Sequence, residues 1–199
     1  MSSFRALKMA KKKQEILRSA AAVLVEKGYQ GTTMEEIAAK LLMTKGSMYY
    51  YFKNKDDLLY QCHLMIMEIC LDGIEKVIDS ELTPVEKLRS AIKEHILLAT
   101  SEKSMFMALS KPNHNFSDEQ LKEVLELRKS YSQYFDRIIH EGIGKQVFNH
   151  VDVKMVRLII LGALNWIQEW YDQNGPQSAE EISEAYASYL LKMLMKENK

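Results

Sequence analysis

Signals that begin helices recur along nearly the whole chain, and they constrain its fold more than any other feature. Several segments place Ser or Thr three residues before Glu or Gln, which is the pattern of a helix capping box. These segments are Thr33–Glu36, Thr83–Glu86, Ser117–Gln120 and Ser178–Glu181. Only three prolines and eight glycines interrupt the 199 residues. Since no alternating run of β-branched residues is bounded by turns, the sequence predicts an all-α fold of about nine helices.

Charge is distributed unevenly along the chain, although the formal net charge is zero. Residues 1–60 carry 11 basic and 6 acidic residues, a net charge of +5, so residues 61–199 carry 16 basic and 21 acidic residues, or −5. A basic front on an acidic body favours an anionic partner at that end. A solvated charged surface explains the same asymmetry, so charge alone does not assign a function.

The sequence lacks the motifs that mark several other classes of protein. Cys62 and Cys70 are eight residues apart on one helical segment, about 12 Å, which is too far for a disulfide and predicts reduced thiols. The five histidines lie in separate segments, and no nucleotide-binding, hydrolase or metalloprotease motif occurs. We therefore expect no enzyme, no metal and no cofactor. The absence of motifs does not exclude a catalytic site whose residues come together only in three dimensions.

The sequence also carries no targeting signal. Its basic N-terminal residues are not followed by an apolar leader segment, and no stretch of 18 uncharged apolar residues occurs, so neither secretion nor insertion into a membrane is indicated. We expect a cytoplasmic protein with no membrane partner.

Residues 33–52 are predicted to form two short helices joined by the tight turn Leu41-Leu42-Met43. Helices of about seven residues bury little surface alone, so they need the long first helix, predicted over residues 4–27, as support. This three-helix arrangement is typical of a helix-turn-helix protein, in which the second short helix enters the major groove of DNA.

The second short helix has a composition suited to DNA. Its leading end, where backbone N–H groups and the helix dipole favour phosphate, holds Thr44, Lys45, Gly46 and Ser47. Three consecutive tyrosines follow, Tyr49, Tyr50 and Tyr51. Because they are 100° apart around the helix, at least one faces outward. Thr33 and Lys55 begin the flanking helices and can hold the DNA backbone on either side. The alternative is that the tyrosines pack internally and the lysines are merely solvated.

From Ile16 to Leu58 the sequence resembles the N-terminal domain of the TetR/AcrR family of one-component regulators. The matching residues are Ile16-Leu17, Ala20-Ala21, Gly28-Tyr29, Thr32-Thr33, Ile37-Ala38, Thr44 through Lys55, and Leu58. The resemblance implies an all-α homodimer that occupies a palindromic DNA operator and leaves it when a small effector binds. We therefore expect a transcriptional repressor with a DNA-binding domain over residues 1–55 and a helical effector-binding and dimerisation domain over residues 56–199.

The resemblance also divides the DNA contacts. It implies phosphate contacts for Thr33, Thr44, Tyr49 and Lys55. It places Lys45, Gly46 and Tyr50 nearest the base edges, with Tyr51 at the rim. One departure is Leu42, which stands where the family usually has glycine. If Leu42 keeps a left-handed backbone, it costs about 1–2 kcal/mol; otherwise the turn is rebuilt by one residue.

Two apolar C-terminal helices, residues 152–171 and 178–195, predict a dimer interface, because two such hairpins can pair into a four-helix bundle across a two-fold axis. A DNA-binding protein with one short recognition helix also needs a second half-site about 34 Å away. The predicted interface residues are Val156, Ile159, Ile160, Ala163, Ile167, Ile182, Ala185, Tyr189 and Met193. Burial within one monomer is the alternative for part of this set.

The middle helices are rich in methionine and aromatic residues, which suit an apolar effector pocket. The predicted lining residues are Met65, Met105, Phe106, Tyr131, Tyr134, Phe135, Trp166 and Trp170. Ordinary core packing is the stronger alternative for each of them. Between Gly162 and Pro176 the sequence resembles a subgroup associated with sensing acyl-CoA thioesters, which implies an effector of that type. A helical adaptor that binds only protein remains the alternative function, although it would not need the clustered lysine, glycine and tyrosines.

Overall fold

The computed structural model describes residues 4–109 and 116–196. Their helices, in chain order, are α1 Phe4–Lys27, α2 Met34–Lys40, α3 Lys45–Tyr51, α4 Lys55–Ile78, α5 Pro84–Ser101, α6 Lys103–Leu109, α7 Asp118–Gly144, α8 Val153–Trp170 and α9 Ala179–Lys192. In this part of the chain the only β pairing is an isolated bridge between Phe148 and Met195. The prediction of an all-α fold is confirmed.

None of the helices described is long and apolar enough to cross a membrane.

Side-chain caps determine where the helices begin. Thr33, Thr83 and Ser178 each accept a hydrogen bond from the backbone N–H three residues later, and the glutamate at that position accepts one from the N–H of the cap residue. Asp152 caps α8 more simply, by accepting from the N–H of Met155 at 3.1 Å. Such a cap stabilises a helix by about 1 kcal/mol. The starts of these four helices were therefore readable from the sequence.

Contacts divide the chain into two units. The first extends to Ile66 and also contains Ser104–Val124, and the second contains Met67–Lys103 and the chain from Leu125 onward. α4 runs across this division, because it begins at Lys55 and ends at Ile78. The predicted domain boundary at residue 55 coincides with the start of α4, and it stays a prediction.

The first unit packs around the inner faces of its helices. Side chains that are at most 2% exposed come from α1, α2, α3, α4 and the residue after α3: Ile16, Ala20, Ile37, Ala38, Met48, Phe52 and Leu58. Met48 of α3 and Phe52, which directly follows the helix with an extended backbone, mark the face of α3 that turns into this core. Burial of that face leaves the opposite face of α3 outside the core.

A buried polar pair lies in the second unit, where α5 packs against both α8 and α9. His95 of α5 and Tyr131 of α7 are hydrogen-bonded between the imidazole Nδ1 and the phenol oxygen at 3.0 Å, and both residues are buried. Burial lowers the pKa of His95 to about 4 and raises the pKa of Tyr131 well above its ordinary value. His95 is therefore neutral in the folded protein at pH 7.

Protonation of His95 links stability to pH. Between the folded pKa of about 4 and the unfolded value of about 6.5, the unfolded chain binds more protons than the folded chain. The buried neutral His95 therefore makes its full contribution to the free energy of unfolding above pH 6.5. We expect this contribution, up to about 3 kcal/mol, to be lost as the pH falls towards 4. Urea unfolding at a series of pH values measures this. His95→Gln should flatten the dependence, whereas His140→Gln, at an exposed position, should retain it; equal slopes in both variants would contradict the assignment.

Candidate nucleic-acid interface

α3 presents an exposed edge at its N-terminal end. Thr44 caps the helix by accepting from the N–H of Ser47 at 3.2 Å, and its hydroxyl donates to the Ser47 hydroxyl at 3.0 Å. Thr44, Lys45, Gly46 and Ser47 are all exposed. A Cβ added at Gly46 would meet no atom within 4 Å, so the backbone there is open to a neighbouring molecule.

The tyrosines of α3 divide between surface and interior. Tyr50 is 68% exposed and Tyr49 is 43% exposed, whereas Tyr51 is half-buried. The rings of Tyr50 and Tyr51 meet edge to face, with centroids 5.2 Å apart, which restrains both side chains. The prediction that at least one tyrosine faces outward is confirmed, and two of them do so.

Lys45 is held by a carboxylate on α2. Its Nζ lies 2.5 Å from Glu35 Oε1 and 5.7 Å from the centroid of the Tyr49 ring. The hydrogen bond between the two side chains lowers the pKa of Glu35 and raises the pKa of Lys45. Both groups are exposed, so salt screens their attraction. This pair is not predictable from the sequence, because its members are on different helices and no local spacing brings them together.

Lys55 supports the turn that precedes α2. Its Nζ donates to the carbonyl oxygens of Tyr29 at 2.6 Å and Thr32 at 2.7 Å, and it lies 4.0 Å from the centroid of the Tyr29 ring. The Tyr29 hydroxyl donates in turn to Asp56. These bonds tie the start of α4 to the turn that leads into Thr33. The structure thus gives Lys55 a positioning role that the sequence analysis did not predict, in addition to the predicted phosphate contact.

The turn between α2 and α3 is closed by two nested backbone hydrogen bonds. Leu42 N–H donates to Ala39 O at 3.1 Å, and Met43 N–H donates to Ala38 O at 2.8 Å. This pairing is a Schellman motif, which requires a left-handed residue just beyond the helix. Leu42 supplies it with φ of 53°. The alternative that the turn is rebuilt by one residue is therefore wrong.

Comparison with known proteins agrees with this geometry. The family model for bacterial regulatory proteins of the tetR family matches residues 16–62, and the model for the tetracyclin repressor-like C-terminal domain matches residues 81–194. The chain belongs to the tetR family. It is a DNA-binding transcriptional regulator, and the exposed edge of α3 lies within the matched N-terminal region.

Relatives and solved structures of the tetR family extend over most of the chain. The fatty acid metabolism regulator protein of Bacillus subtilis (strain 168) is 27% identical over 155 residues, which cover 77% of this chain and 80% of that protein. PfmR, a TetR family regulator from Thermus thermophilus, has a TM-score of 0.83 at 28% identity and covers 89% of this chain and 97% of its own. AibR, solved in complex with isovaleryl coenzyme A and operator DNA, has a TM-score of 0.79 at 27% identity and covers 89% and 96%.

The eight predicted pocket residues of this tetR-family chain are distributed over both units. Met65, Met105 and Phe106 are buried in the first unit, and Tyr131 and Phe135 are buried in the second. Tyr134 donates its hydroxyl to Glu75 at 2.6 Å. The structure corrects the prediction for Trp166 and Trp170, because both indoles are exposed on α8. Composition identified apolar residues correctly but could not divide them between core and surface.

The apolar residues of α8 form two faces. Ile160, Leu164 and Ile167 are fully buried, whereas the opposite face is exposed and consists of Met155, Leu158, Ile159, Trp166 and Trp170. The structure therefore corrects the predicted interface at Ile160, Ile167 and Ile182, which are buried inside the second unit. Ile159, Tyr189 and Met193 are exposed, and Val156, Ala163 and Ala185 are half-buried. A helix that is apolar on both faces gives no signal of which face turns inward.

Cys62 and Cys70 are both buried and free. Burial raises the pKa of Cys62 and of Cys70 to about 12, so both thiols stay protonated at neutral pH. Across residues 4–109 and 116–196, no group of three or more His, Cys, Asp or Glu side chains is placed to hold a metal ion.

The left-handed turn predicts the effect of one substitution. Leu42 is 97% exposed, so Leu42→Gly loses no burial while it relieves a strain of about 1–2 kcal/mol, offset by about 0.5–1 kcal/mol of glycine entropy. We expect the midpoint of thermal unfolding to stay unchanged or to rise. Leu41→Gly is the matched control, because Leu41 has φ of −90° and should be destabilised by glycine. A clear loss of stability in Leu42→Gly would contradict the strained turn.

Proposed function

We propose that this chain is an effector-released repressor that binds a two-fold-symmetric operator as a homodimer. The observation that carries the proposal is the exposed leading edge of α3, which combines a cation, an open glycine backbone and two outward tyrosines. The buried face of α3, formed by Met48 and Phe52, holds this edge in position. An adaptor that binds only protein has no need of such an arrangement.

The proposed contacts follow from the position of each group. Hydroxyls at helix starts and on Tyr49 suit phosphate oxygens, which set the register of the protein on DNA. The residues in this group are Thr33, Thr44, Ser47 and Tyr49, with Lys55 beside them. Lys45, Gly46 and Tyr50 would lie closest to the base edges, with Tyr51 at the rim. Because Glu35 holds Lys45, contact with a base requires that Lys45 exchange this carboxylate for an acceptor on DNA.

The proposed dimer surface is the exposed apolar stripe of α8 with the adjoining part of α9. Met155, Ile159, Gly162, Trp166 and Trp170 recur at intervals of three or four residues and are all exposed, so they form one stripe. A Cβ added at Gly162 would meet no atom within 4 Å, which leaves room for a partner helix to approach. Exposed Tyr189 and Met193 extend the surface onto α9. Contiguous apolar surface of this kind marks a protein interface.

The proposed effector is a small acyl-CoA-type molecule, as AibR has been solved with isovaleryl coenzyme A. In the second unit, an open groove of about 570 Å³ and a small cavity of about 10 Å³ have Ile69, Glu94 and Leu98 in common. The volume of the groove lies in the range of small-molecule sites.

Charged and apolar groups in this groove match the two ends of such an effector. Arg89 and Lys93 line the groove and are both paired with Glu184. Guanidinium and ammonium groups are suited to phosphates, whereas Leu97 and Leu98 are suited to an acyl chain. The small cavity that shares residues with the groove is bordered by the His95–Tyr131 pair, and at about 10 Å³ it has no room for part of the effector.

The two classes of DNA contact predict different responses to substitution. Tyr50→Ala should erode the preference for the selected operator over other sequences, by about 1–3 kcal/mol, or roughly 5- to 150-fold. Tyr49→Phe removes only a hydroxyl, so it should weaken binding to all duplexes alike. Fluorescence anisotropy with a duplex selected from a random pool, and with the unselected pool, measures both. Equal loss of preference in the two variants would contradict the division of roles.

The same assay tests the DNA-binding and effector proposals as a whole. The wild-type chain should bind duplex DNA with affinity that falls steeply as salt rises, and added isovaleryl coenzyme A should release the duplex. Lys55→Ala should weaken binding to all sequences and also lower the melting temperature, since it removes the support of the turn. Failure of the wild-type chain to bind any duplex of the pool would favour the adaptor.

The exposed stripe predicts an oligomeric state. Trp166 is 63% exposed, so Trp166→Glu should leave the fold intact, while it places a charge in the proposed interface. We expect the wild-type chain to sediment as a dimer and Trp166→Glu as a monomer with much weaker operator affinity. Leu125→Glu is the matched control, because Leu125 is an exposed apolar residue on α7, and it should remain dimeric. A dimeric Trp166→Glu protein would place the interface elsewhere.

A further inference from the structure

We propose that the N-terminal half of α1, residues 4–15, binds the phosphate backbone of the DNA that flanks the bases contacted by α3. We call this segment the basic arm. The inference rests on the proposed function, because it assumes that α3 docks on DNA. It adds to that function a second contact that is independent of base sequence.

The basic arm does not contribute to the core of the first unit. The first buried residue of α1 is Ile16, whereas Phe4 is 84% and Leu7 is 61% exposed. None of the side chains described in residues 4–15 is buried. The twelve residues that precede Ile16 extend over about 18 Å at 1.5 Å each. The match to the tetR-family N-terminal model also begins at residue 16, so the arm lies outside the part that this match covers.

The charge of the arm is almost all of one sign. Its twelve residues carry a net charge of +4, because they include one acidic residue, Glu15, and five basic residues, Arg5, Lys8, Lys11, Lys12 and Lys13. Lys12 lies 3.6 Å from Glu15, but Lys8 and Lys11 have no ion-pair partner in the described part of the chain.

The spacing of these lysines makes the charge unfavourable in the free protein. Lys8 is three residues from Lys11 and four from Lys12, so the three ammonium groups are neighbours on one side of the helix. Like charges at these intervals destabilise a helix, and a merely solvated helix face usually alternates its charges. An anionic partner removes this repulsion.

The arm leaves the first unit beside the end of α3. Lys13 Nζ lies 5.9 Å from the ring centroid of Phe52, the C-cap residue of α3, and donates to Gln61 Oε1 at 2.9 Å. From Lys13 to Phe4 the helix extends about 13 Å, which is comparable to the width of the DNA major groove, about 12 Å. With α3 in that groove, the phosphates at its edge are within reach of the arm. This continuity with α3 identifies the duplex, rather than another polyanion, as the partner.

Salt dependence tests this inference directly. The full chain with Lys8→Gln, Lys11→Gln and Lys12→Gln is compared with the wild-type chain. The control protein carries Lys76→Gln, Lys129→Gln and Lys196→Gln, which remove the same charge from exposed positions of the second unit. Binding is measured by fluorescence anisotropy on a random-sequence duplex of about 40 base pairs and on a selected duplex, between 50 and 200 mM salt. Thermal unfolding verifies that both variants are folded.

We expect the slope of log affinity against log salt to be shallower by about 2.7 in the arm variant for each chain bound. Its loss of affinity between 50 and 200 mM salt is then about 40-fold smaller per chain than that of the wild-type chain. Its preference for the selected duplex should persist, because phosphate contacts carry no base information. The control protein should match the wild-type chain.

Three results would overturn the inference. The first is a wild-type salt slope in the arm variant. The second is a loss of sequence preference like that of Tyr50→Ala, which would mean that the arm positions α3. The third is unchanged DNA binding together with lost binding to phosphatidylserine vesicles, which would identify a membrane surface as the partner. In all three the wild-type chain still binds DNA, so the proposed function stands; absence of any wild-type binding would instead remove both.

Discussion

Burial of two side chains on one face of α3 is the constraint on which the DNA-binding surface depends. Met48 and Phe52 are at most 1% exposed, and because one lies on α3 and the other directly follows it, their burial determines the rotation of the helix about its axis. Tyr49 and Tyr50 then point outward, and Gly46 leaves the first turn open. A seven-residue helix could not hold this orientation alone, so the core of the first unit does it.

Hydrogen bonds at both ends of the helix-turn-helix complete this constraint. The left-handed backbone of Leu42 sets the angle between α2 and α3 through the Schellman bonds, and Lys55 ties the turn before α2 to the start of α4. The Leu42 turn carries backbone strain, and Lys55 places a charged group against backbone carbonyls, so neither feature is ordinary apolar packing. Their shared consequence is that the edge of α3 is oriented before any DNA arrives, which reduces the ordering that binding requires.

In the second unit, one helix pair serves two surfaces. α8 and α9 both pack against α5, and their outward stripe is the proposed dimer surface. The proposed effector groove lies along α5, and its cations Arg89 and Lys93 are held by Glu184 of α9. An anionic effector would compete with Glu184 for these cations, so the groove and the dimer surface share α9.

The sequence alone determined the all-α class, the starts of the capped helices and the DNA-binding segment, because caps, helix breakers and the Thr44–Lys55 motif act through neighbours a few residues apart. It did not determine which apolar face of α8 turns inward, so Ile160 and Ile167 were placed in the interface and the indoles of Trp166 and Trp170 in a pocket. It also gave no sign of the Lys45–Glu35 pair or of the carbonyls that hold Lys55. Those features join residues 10 to 26 positions apart on different elements, and only packing of the whole chain decides which such groups meet.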